Sequence, residues 1–410
     1  MDSLNIDTQQ FIKEHRNDDV AELALHRPKN PLIDFETALT QIAGYNKAKH
    51  KMPWLAANEA IRYPKVLSLE QCSSEATANF KAGIFGGGTL LDLTGGFGVD
   101  SIAFSRQFER VIYVEKNSEL CELMSFNCSC LGINNIEVIN DEAENFLART
   151  SSVDVIYLDP SRRTDKNEKV FRLEQCSPNV LELLPLLIQK AKIGILCKYS
   201  PIADIKNTIE LLPEVTAFWV VSVKNECKEL LCAVDMRRPR TTEPEITAVD
   251  INNRKQTALS FTFQEESETK PLYTEKVMKY LYEPSNSVLK AGAFKLLSAR
   301  FNLRKLHQHT HLYTSDSLRE DFQGNIYKVV TVLSFNKKDL KNALSDLKNI
   351  CLKVRNFPMS VENLSKRLGI KVRGEGNRCL FATTLSDGTH SLILAERISG
   401  CSYWRDNNEF

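Results

Sequence analysis

No apolar run in the chain approaches the ~20 residues that span a bilayer, so no transmembrane helix is expected in its 410 residues. The opening Met1-Asp2-Ser3-Leu4-Asn5 is not the start of a signal peptide, which predicts a cytoplasmic protein. There is no Cys-x2-Cys pair, and the eleven cysteines are scattered and odd in number. Cys128 and Cys130 stand too close together for an ordinary zinc pair. Reduced, mostly buried thiols are expected, and no metal. No repeat period or low-complexity tract stands out, which argues against a repeat array.

A strong net charge is also missing, since the whole chain carries only +1. That balance is uneven. Residues 271–380 hold 20 Lys and Arg against 9 Asp and Glu, while the remainder is acidic by ten charges. A basic C-terminal third suggests a polyanion partner, the alternative being a charged surface that binds nothing. With 42% apolar and 26% charged residues, the composition is that of a soluble globular protein. The length predicts two or three domains; nothing in the pattern bears on oligomeric state.

What is present is a run of strand-like segments, each ending in polar or glycine-rich residues. Leu90-Leu91-Asp92-Leu93 leads into Thr94-Gly95-Gly96-Phe97-Gly98, and a helical segment, Ser101 to Phe108, follows. Such a turn lets backbone approach a bound nucleotide-like ligand. Val111 to Val114 is a second strand ending in Glu115, about twenty residues beyond the glycines, where an acid can bind ribose hydroxyls. Ile136 to Ile139 leads into Asp141-Glu142, and Val153 to Leu158 into Asp159-Pro160-Ser161-Arg162-Arg163. These pieces predict a doubly wound parallel sheet with a site at its strand ends.

Leu4 to His15, Ala21 to Leu25 and Phe35 to Lys49 have helical spacing. Ser73-Ser74-Glu75 signals a capped helix start, either facing a cofactor or simply a plain helix. Beyond Asp159, Val180 to Lys190 reads as helix and Ile193 to Cys197 as strand. Ile202 to Leu212 is a helix, and strands at Thr216 to Val223 and Glu229 to Asp235 form a closing hairpin. Glu245 to Phe263 reads as a strand hairpin turning at Asn252-Asn253. Gln264 to Pro271 reads as an exposed linker and Tyr273 to Phe301 as mainly helical. His307 to Tyr313 and Tyr327 to Phe335 read as strands, Lys337 to Leu347 as a helix. Lys353 to Asn356, a helix over Val361 to Leu368, and strands at Cys379 to Thr384 and Ser391 to Ala395 complete an α+β unit.

This order of motifs resembles a class I S-adenosylmethionine-dependent methyltransferase. With Leu281-Tyr282-Glu283-Pro284, Val354-Arg355-Asn356-Phe357-Pro358 and Phe381-Ala382-Thr383-Thr384, the chain is similar to methyltransferases that carry a THUMP-like C-terminal domain. The resemblance implies an α/β protein: a Rossmann-like sheet with an N-terminal helical region and a C-terminal α+β (ferredoxin-like and THUMP-like) module. The implied domains are 1–80 (helical), 81–240 (methyltransferase), 241–335 (ferredoxin-like connection) and 336–400 (THUMP-like).

The implied cofactor is S-adenosylmethionine, held by Asp92, Thr94, Gly96, Gly98 and Glu115, with Asp141 or Glu142 on the adenine. Thr94 stands where the usual pattern has glycine. Asp159 and Pro160 fall where amino-directed nucleic-acid methyltransferases place an acid or amide and a proline. Ser161 and Arg162 depart from that motif, and its stacking ring is missing. Arg162 can stack or bind phosphate, with Arg163 beside it, while Asp165, Lys166 and Arg172 read as solvated loop charge. Tyr199 is either the missing aromatic surface or packing.

His307, His309 and His311 would share one strand face, read as polar surface and not as metal ligands. Lys353, Arg355, Lys366, Arg367, Lys371, Arg373 and Arg378 form the densest basic cluster. Of these, Lys353, Arg355, Lys371 and Arg373 are expected to contact substrate phosphates. The expected function is methylation of a base in a structured RNA, tRNA or rRNA. The alternatives are a protein or small-molecule methyltransferase and a non-catalytic RNA-binding protein with a relic pocket.

Overall fold

Asn5, Asp19 and Asp34 each accept a backbone N–H and so start the helices Ile6–His15, Val20–Ala24 and Phe35–Lys51. Phe11, Phe35, Ala38 and Ile42 from these helices meet in one apolar cluster. The computed structural model describes residues 4–161, 173–238, 243–252, 255–335, 349–374 and 376–398. The chain divides into two units, residues 1–217 with 229–241 and residues 218–228 with 242–410.

In the first unit, Ser74 caps the helix Glu75–Ala82 by accepting from the Thr77 N–H. Five strands follow: β1 (Gly87–Asp92), β2 (Phe108–Glu115), β3 (Ile136–Asn140), β4 (Val153–Leu158) and β5 (Ala191–Tyr199). All pair in parallel in the order β3-β2-β1-β4-β5. Their middles, among them Leu91, Val114, Ile156 and Leu196, are buried, as both faces of a parallel sheet are covered. The chain continues through β6 (Ala217–Val223), which belongs to the second unit from Phe218 on, and β7 (Glu226–Asp235), which returns to the first unit at Glu229; the two are joined at Lys224-Asn225, which have φ of 50° and 58°. That left-handed pair makes a two-residue turn. The β7 residues Leu230 to Asp235 lie antiparallel to β5. Because β1 sends the chain to β2 on one side and has β4 on the other, a crevice opens beyond its carboxyl end.

The second unit contains the hairpin of β8 (Glu245–Asn252) and β9 (Lys255–Phe261); of the expected turn, Asn253 lies outside the described residues. A nine-stranded sheet follows. Its strands are β10 (Leu272–Tyr273), β11 (Tyr280–Pro284), β12 (Arg304–His307), β13 (Thr310–Ser315), β14 (Gly324–Ser334), β15 (Asn349–Arg355), β16 (Lys371–Arg373), β17 (Arg378–Thr384) and β18 (His390–Arg397). They run in the order β10-β12-β13-β11-β14-β18-β17-β15-β16. The helix Val361–Leu368 has the expected limits. The helix expected over Lys337 to Leu347 lies outside the described residues.

Three local readings are corrected. The supposed linker after Phe263 is the helix Phe263–Glu268, capped by Thr262, with Glu265 and Glu266 in its first turn. Its acids complement a helix N-terminus and only looked like loop polarity. The segment expected to be mainly helical contains β11, hydrogen-bonded to both β13 and β14. Pairing on both sides outweighs local propensity there. The histidine stretch is a hairpin, not one strand: His307 ends β12, His309 lies in the turn and His311 is in β13. The three imidazoles therefore do not share a strand face, and no group of three or more His, Cys, Asp or Glu among the described residues is placed to hold a metal.

Candidate active site

The carboxyl ends of β1, β2, β3 and β4 bring the expected site residues to one edge. After Asp92, the Gly95 N–H donates to the Val114 carbonyl at 2.9 Å. A side chain at Gly95 would put its Cβ 2.2 Å from the Tyr113 ring, and one at Gly98 would meet the Met124 sulfur at 2.3 Å. Gly98 also has φ of +86°, which only glycine adopts without strain. Tyr113 closes the turn by donating its hydroxyl to the Gly96 carbonyl at 2.5 Å.

Glu115 ties the second strand end to this loop. Its Oε2 accepts from the Gly96 N–H and its Oε1 from the Asn117 N–H, each at 2.9 Å. Gly96 has φ of +55°, and a Cβ there would meet only the loop's own Thr94 carbonyl, at 3.9 Å. The loop thus presents open backbone beside a fixed carboxylate. Asp141 follows β3, its N–H 3.2 Å from the Glu115 carbonyl. Its carboxylate is held by Arg149, and that hydrogen bond lowers its pKa. Glu142 is exposed.

Asp92 is buried. Its Oδ2 accepts from Ser101 Oγ at 2.6 Å and its Oδ1 from the Thr94 N–H at 3.0 Å. Burial outweighs these bonds and pushes the carboxyl up to about 7. Unfolded, such a group has the ordinary value of 3.8, so between about pH 4 and 7 the folded state keeps a proton that the unfolded chain has lost. Its contribution to stability is full below the unfolded value and is lost as pH rises through about 7. Asp92→Asn is expected to flatten that fall, read from urea-unfolding midpoints across the range. A variant with the wild-type pH slope would refute this.

Thr94 connects the loop to the end of the fourth strand: its Oγ1 accepts from the Asp159 N–H at 2.6 Å. Asp159 directly follows β4 with its side chain 30% exposed, and Lys198 from β5 ion-pairs with it. The carboxylates of Asp159, Glu229 and Asp100 raise the Lys198 pKa despite its burial. Pro160 is buried. Ser161 is exposed, and its backbone exchanges two hydrogen bonds with Ser177, at 2.7 and 3.0 Å. Arg162, Arg163, Asp165, Lys166 and Arg172 lie outside the described residues.

Tyr199 requires correction as a stacking candidate. Its ring is only 5% exposed, and burial among Cys197, Cys232 and Cys176 raises its pKa. It is core. Lys353 and Arg355 are also corrected as free phosphate contacts, because both ion-pair with the buried Glu283 in the second unit. Burial raises the Glu283 pKa, but the two cations and Asn325 outweigh it and leave the carboxyl lowered. Arg378 pairs with Glu396. Lys371 is exposed on β16, and the side chain of Arg373 lies outside the described residues.

Sequence reading missed a buried charge network behind the loop. Lys81, fully buried, donates to Ser73 Oγ at 2.9 Å and to the two Glu229 oxygens at 2.9 and 2.8 Å. Its ammonium is also 3.2 Å from Asp100 Oδ1. Ser73 and the Tyr157 hydroxyl donate to Asp100 Oδ2 at 2.8 and 2.9 Å. Burial raises the Asp100 pKa, yet Lys81, Lys198 and these hydrogen bonds leave it lowered. The only sequence signal was a lysine between the small residues Ala78 and Ala82.

Residues 74–183 match the family model described as Conserved hypothetical protein 95, residues 280–322 a ferredoxin-like domain, and residues 324–397 a THUMP domain-like family. The crystal structure of a candidate methyltransferase from Porphyromonas gingivalis W83 aligns with 96% of this chain and 98% of its own, at 29% identity and a TM-score of 0.86. The chain has a Rossmann-like methyltransferase fold and ends in a THUMP-like domain. Two further structures align with a part of the chain. A candidate methyltransferase from Streptococcus mutans solved with SAH has 13% identity, a TM-score of 0.31, and covers 39% of this chain and 96% of its own. An rRNA methylase from Streptococcus thermophilus has 16% identity, a TM-score of 0.30, and covers 39% and 93%. No curated protein matches the chain. The methyltransferase fold accounts for the strand order and for the loop after β1. No helix among the described residues is long and apolar enough to cross a membrane.

Proposed function

We propose that this chain is a cytoplasmic S-adenosylmethionine-dependent methyltransferase that modifies a base of a structured RNA, tRNA or rRNA. The observation that carries the reading is the convergence of the glycine loop, Glu115 and Asp159 at one strand edge, joined through Thr94 Oγ1. The open backbone at Gly96 beside the Glu115 carboxylate fits the ribose and methionine portions of the cofactor. Asp141 or Glu142 would take the adenine amine. When bound, the cofactor supplies an electrophilic methyl group on a sulfonium.

The protein's part is to align the nucleophile and manage its proton. Asp159 accepts a hydrogen bond from the target group and orients it, while Lys198 fixes the carboxylate. Pro160 and the pinned backbone of Ser161 hold the strand end in place. Arg162 and Arg163 are proposed to bind substrate. The THUMP-like domain and the exposed Lys371 support an RNA substrate, with Arg373 as an accessory phosphate contact.

The test is transfer of labelled methyl from S-adenosylmethionine into total RNA from cells that lack the protein, with RNA from normal cells as control. Label is expected to enter only the deficient RNA. Cofactor binding without any RNA labelling would overturn the RNA reading and leave a protein or small-molecule substrate.

A further inference from the structure

The first unit holds a second cleft, apart from the strand-end site. It has a volume of about 490 Å³ and lies among the helices Ile6–His15 and Phe35–Lys51, the segment 58–63 and Phe126. That volume lies within the range of small-ligand sites. Its lining combines cations with aromatic faces: Lys13, Arg16 and Arg62 stand against one carboxylate, Glu59, beside Tyr45 and Phe126.

The two arginines differ. Arg16 has a partner, since its Nη1 lies 2.8 Å from Glu59 and its guanidinium sits 4.0 Å over the Tyr45 ring. Arg62 is half-buried and lies 5.6 Å over the Phe126 ring, and among the described residues no carboxylate pairs with it. Burial lowers its pKa, which reports the cost of holding that charge away from water. Its backbone is nevertheless locked: the Arg62 N–H donates to Asn127 Oδ1 and its carbonyl accepts from Asn127 Nδ2, both at 2.9 Å. The fold thus holds a half-buried cation, with no carboxylate paired to it among the described residues, on a fixed stretch of backbone, and an incoming anion offsets part of that cost.

One wall residue of the cleft packs toward the cofactor loop. Tyr63, in its wall, has its ring 6.3 Å from that of Phe97, which lies between Gly96 and Gly98. From this arrangement we infer that the cleft binds one nucleotide unit of the RNA substrate, with phosphate on Arg62 and Lys13 and the base on the Tyr45 or Phe126 face. Guanidinium forks suit phosphate oxygens, and aromatic faces accept any base by stacking. This inference rests on the RNA reading and adds a recognition site in the N-terminal helices.

The test uses the full chain and a fluorescein-labelled, mixed-sequence 12-nucleotide single-stranded RNA, read by anisotropy at low salt. Arg62→Gln is expected to weaken binding about tenfold, with S-adenosylmethionine affinity and thermal midpoint unchanged. In the wild-type protein, the same oligomer carrying 4-thiouridine is expected to photocrosslink to Tyr45 or Phe126. This second readout does not depend on how the variant folds. RNA binding that is unchanged in Arg62→Gln, with crosslinks confined to the THUMP-like domain, would overturn the cleft assignment while leaving the RNA reading intact. Wild-type protein that binds neither the oligomer nor total tRNA in the same assay would overturn the RNA reading itself. A parallel titration with AMP separates the sources, because Arg62-dependent AMP binding without oligomer binding would assign the cleft to a free nucleotide and overturn the RNA unit.

Discussion

Asp159→Asn is expected to slow methyl transfer by at least ~100-fold, the lower range for loss of a positioned acid–base group, while S-adenosylmethionine still binds. The amide retains an oxygen for the Lys198 ammonium, and the Asp159 N–H still donates to Thr94 Oγ1. The strand end should therefore keep its shape. What the amide loses is the negative charge that orients the target group and takes its proton. Single-turnover transfer into RNA from deficient cells, together with cofactor titration by calorimetry, separates these effects. Wild-type rates in the variant would remove Asp159 from the chemistry. Equal losses of cofactor affinity and rate would make it a structural residue of the loop.

The second large effect is expected on stability. Lys81→Met should destabilise the first unit by about 3–5 kcal/mol, the cost of leaving a buried charge without its partner. Lys81 is fully buried and Glu229 only 2% exposed, so solvent does little to screen them. Removing the ammonium leaves Glu229 and Asp100 without their hydrogen-bonded cation and with only Lys198 to offset their charges. In thermal unfolding, the midpoint should fall by roughly 10 °C. Pairing Lys81→Met with Glu229→Met should recover a good part of the loss, because replacing a buried ion pair by apolar groups is often neutral. A double variant no more stable than Lys81→Met would show that the ion pair is not the source. Asp100 also accepts from Tyr157, which stands on the strand that leads into Asp159. The cofactor site should therefore loosen as well, seen as weaker S-adenosylmethionine binding below the unfolding transition.

Much of the strand-end site was legible because its parts are local. A glycine turn after an apolar strand, an acid at the end of the next strand, and Asp-Pro two strands later are all patterns within a few residues. The capping role of Ser74 was legible for the same reason, since the hydroxyl and the N–H it accepts from are three residues apart. The helix Val361–Leu368 was legible to its limits, and the structure closes it with Gly369 in the left-handed conformation. The acids after Phe263 misled, because a first helical turn and a polar linker have the same composition.

The sequence by itself determined the alternation of strands and helices, the glycine loop and the acids at the strand ends, because backbone conformation and apolar periodicity are set by near neighbours. Only the tertiary structure decided which charges meet. Lys81 finds Glu229 across 148 residues, and Glu283 gathers Lys353 and Arg355 from 70 and 72 residues away. Tertiary pairing likewise made a strand of Tyr280–Pro284, divided the histidines over a hairpin and placed Phe126 beside Arg62. A buried charge and a solvated one read the same along the chain; desolvation separates them, and that depends on what the fold packs around each.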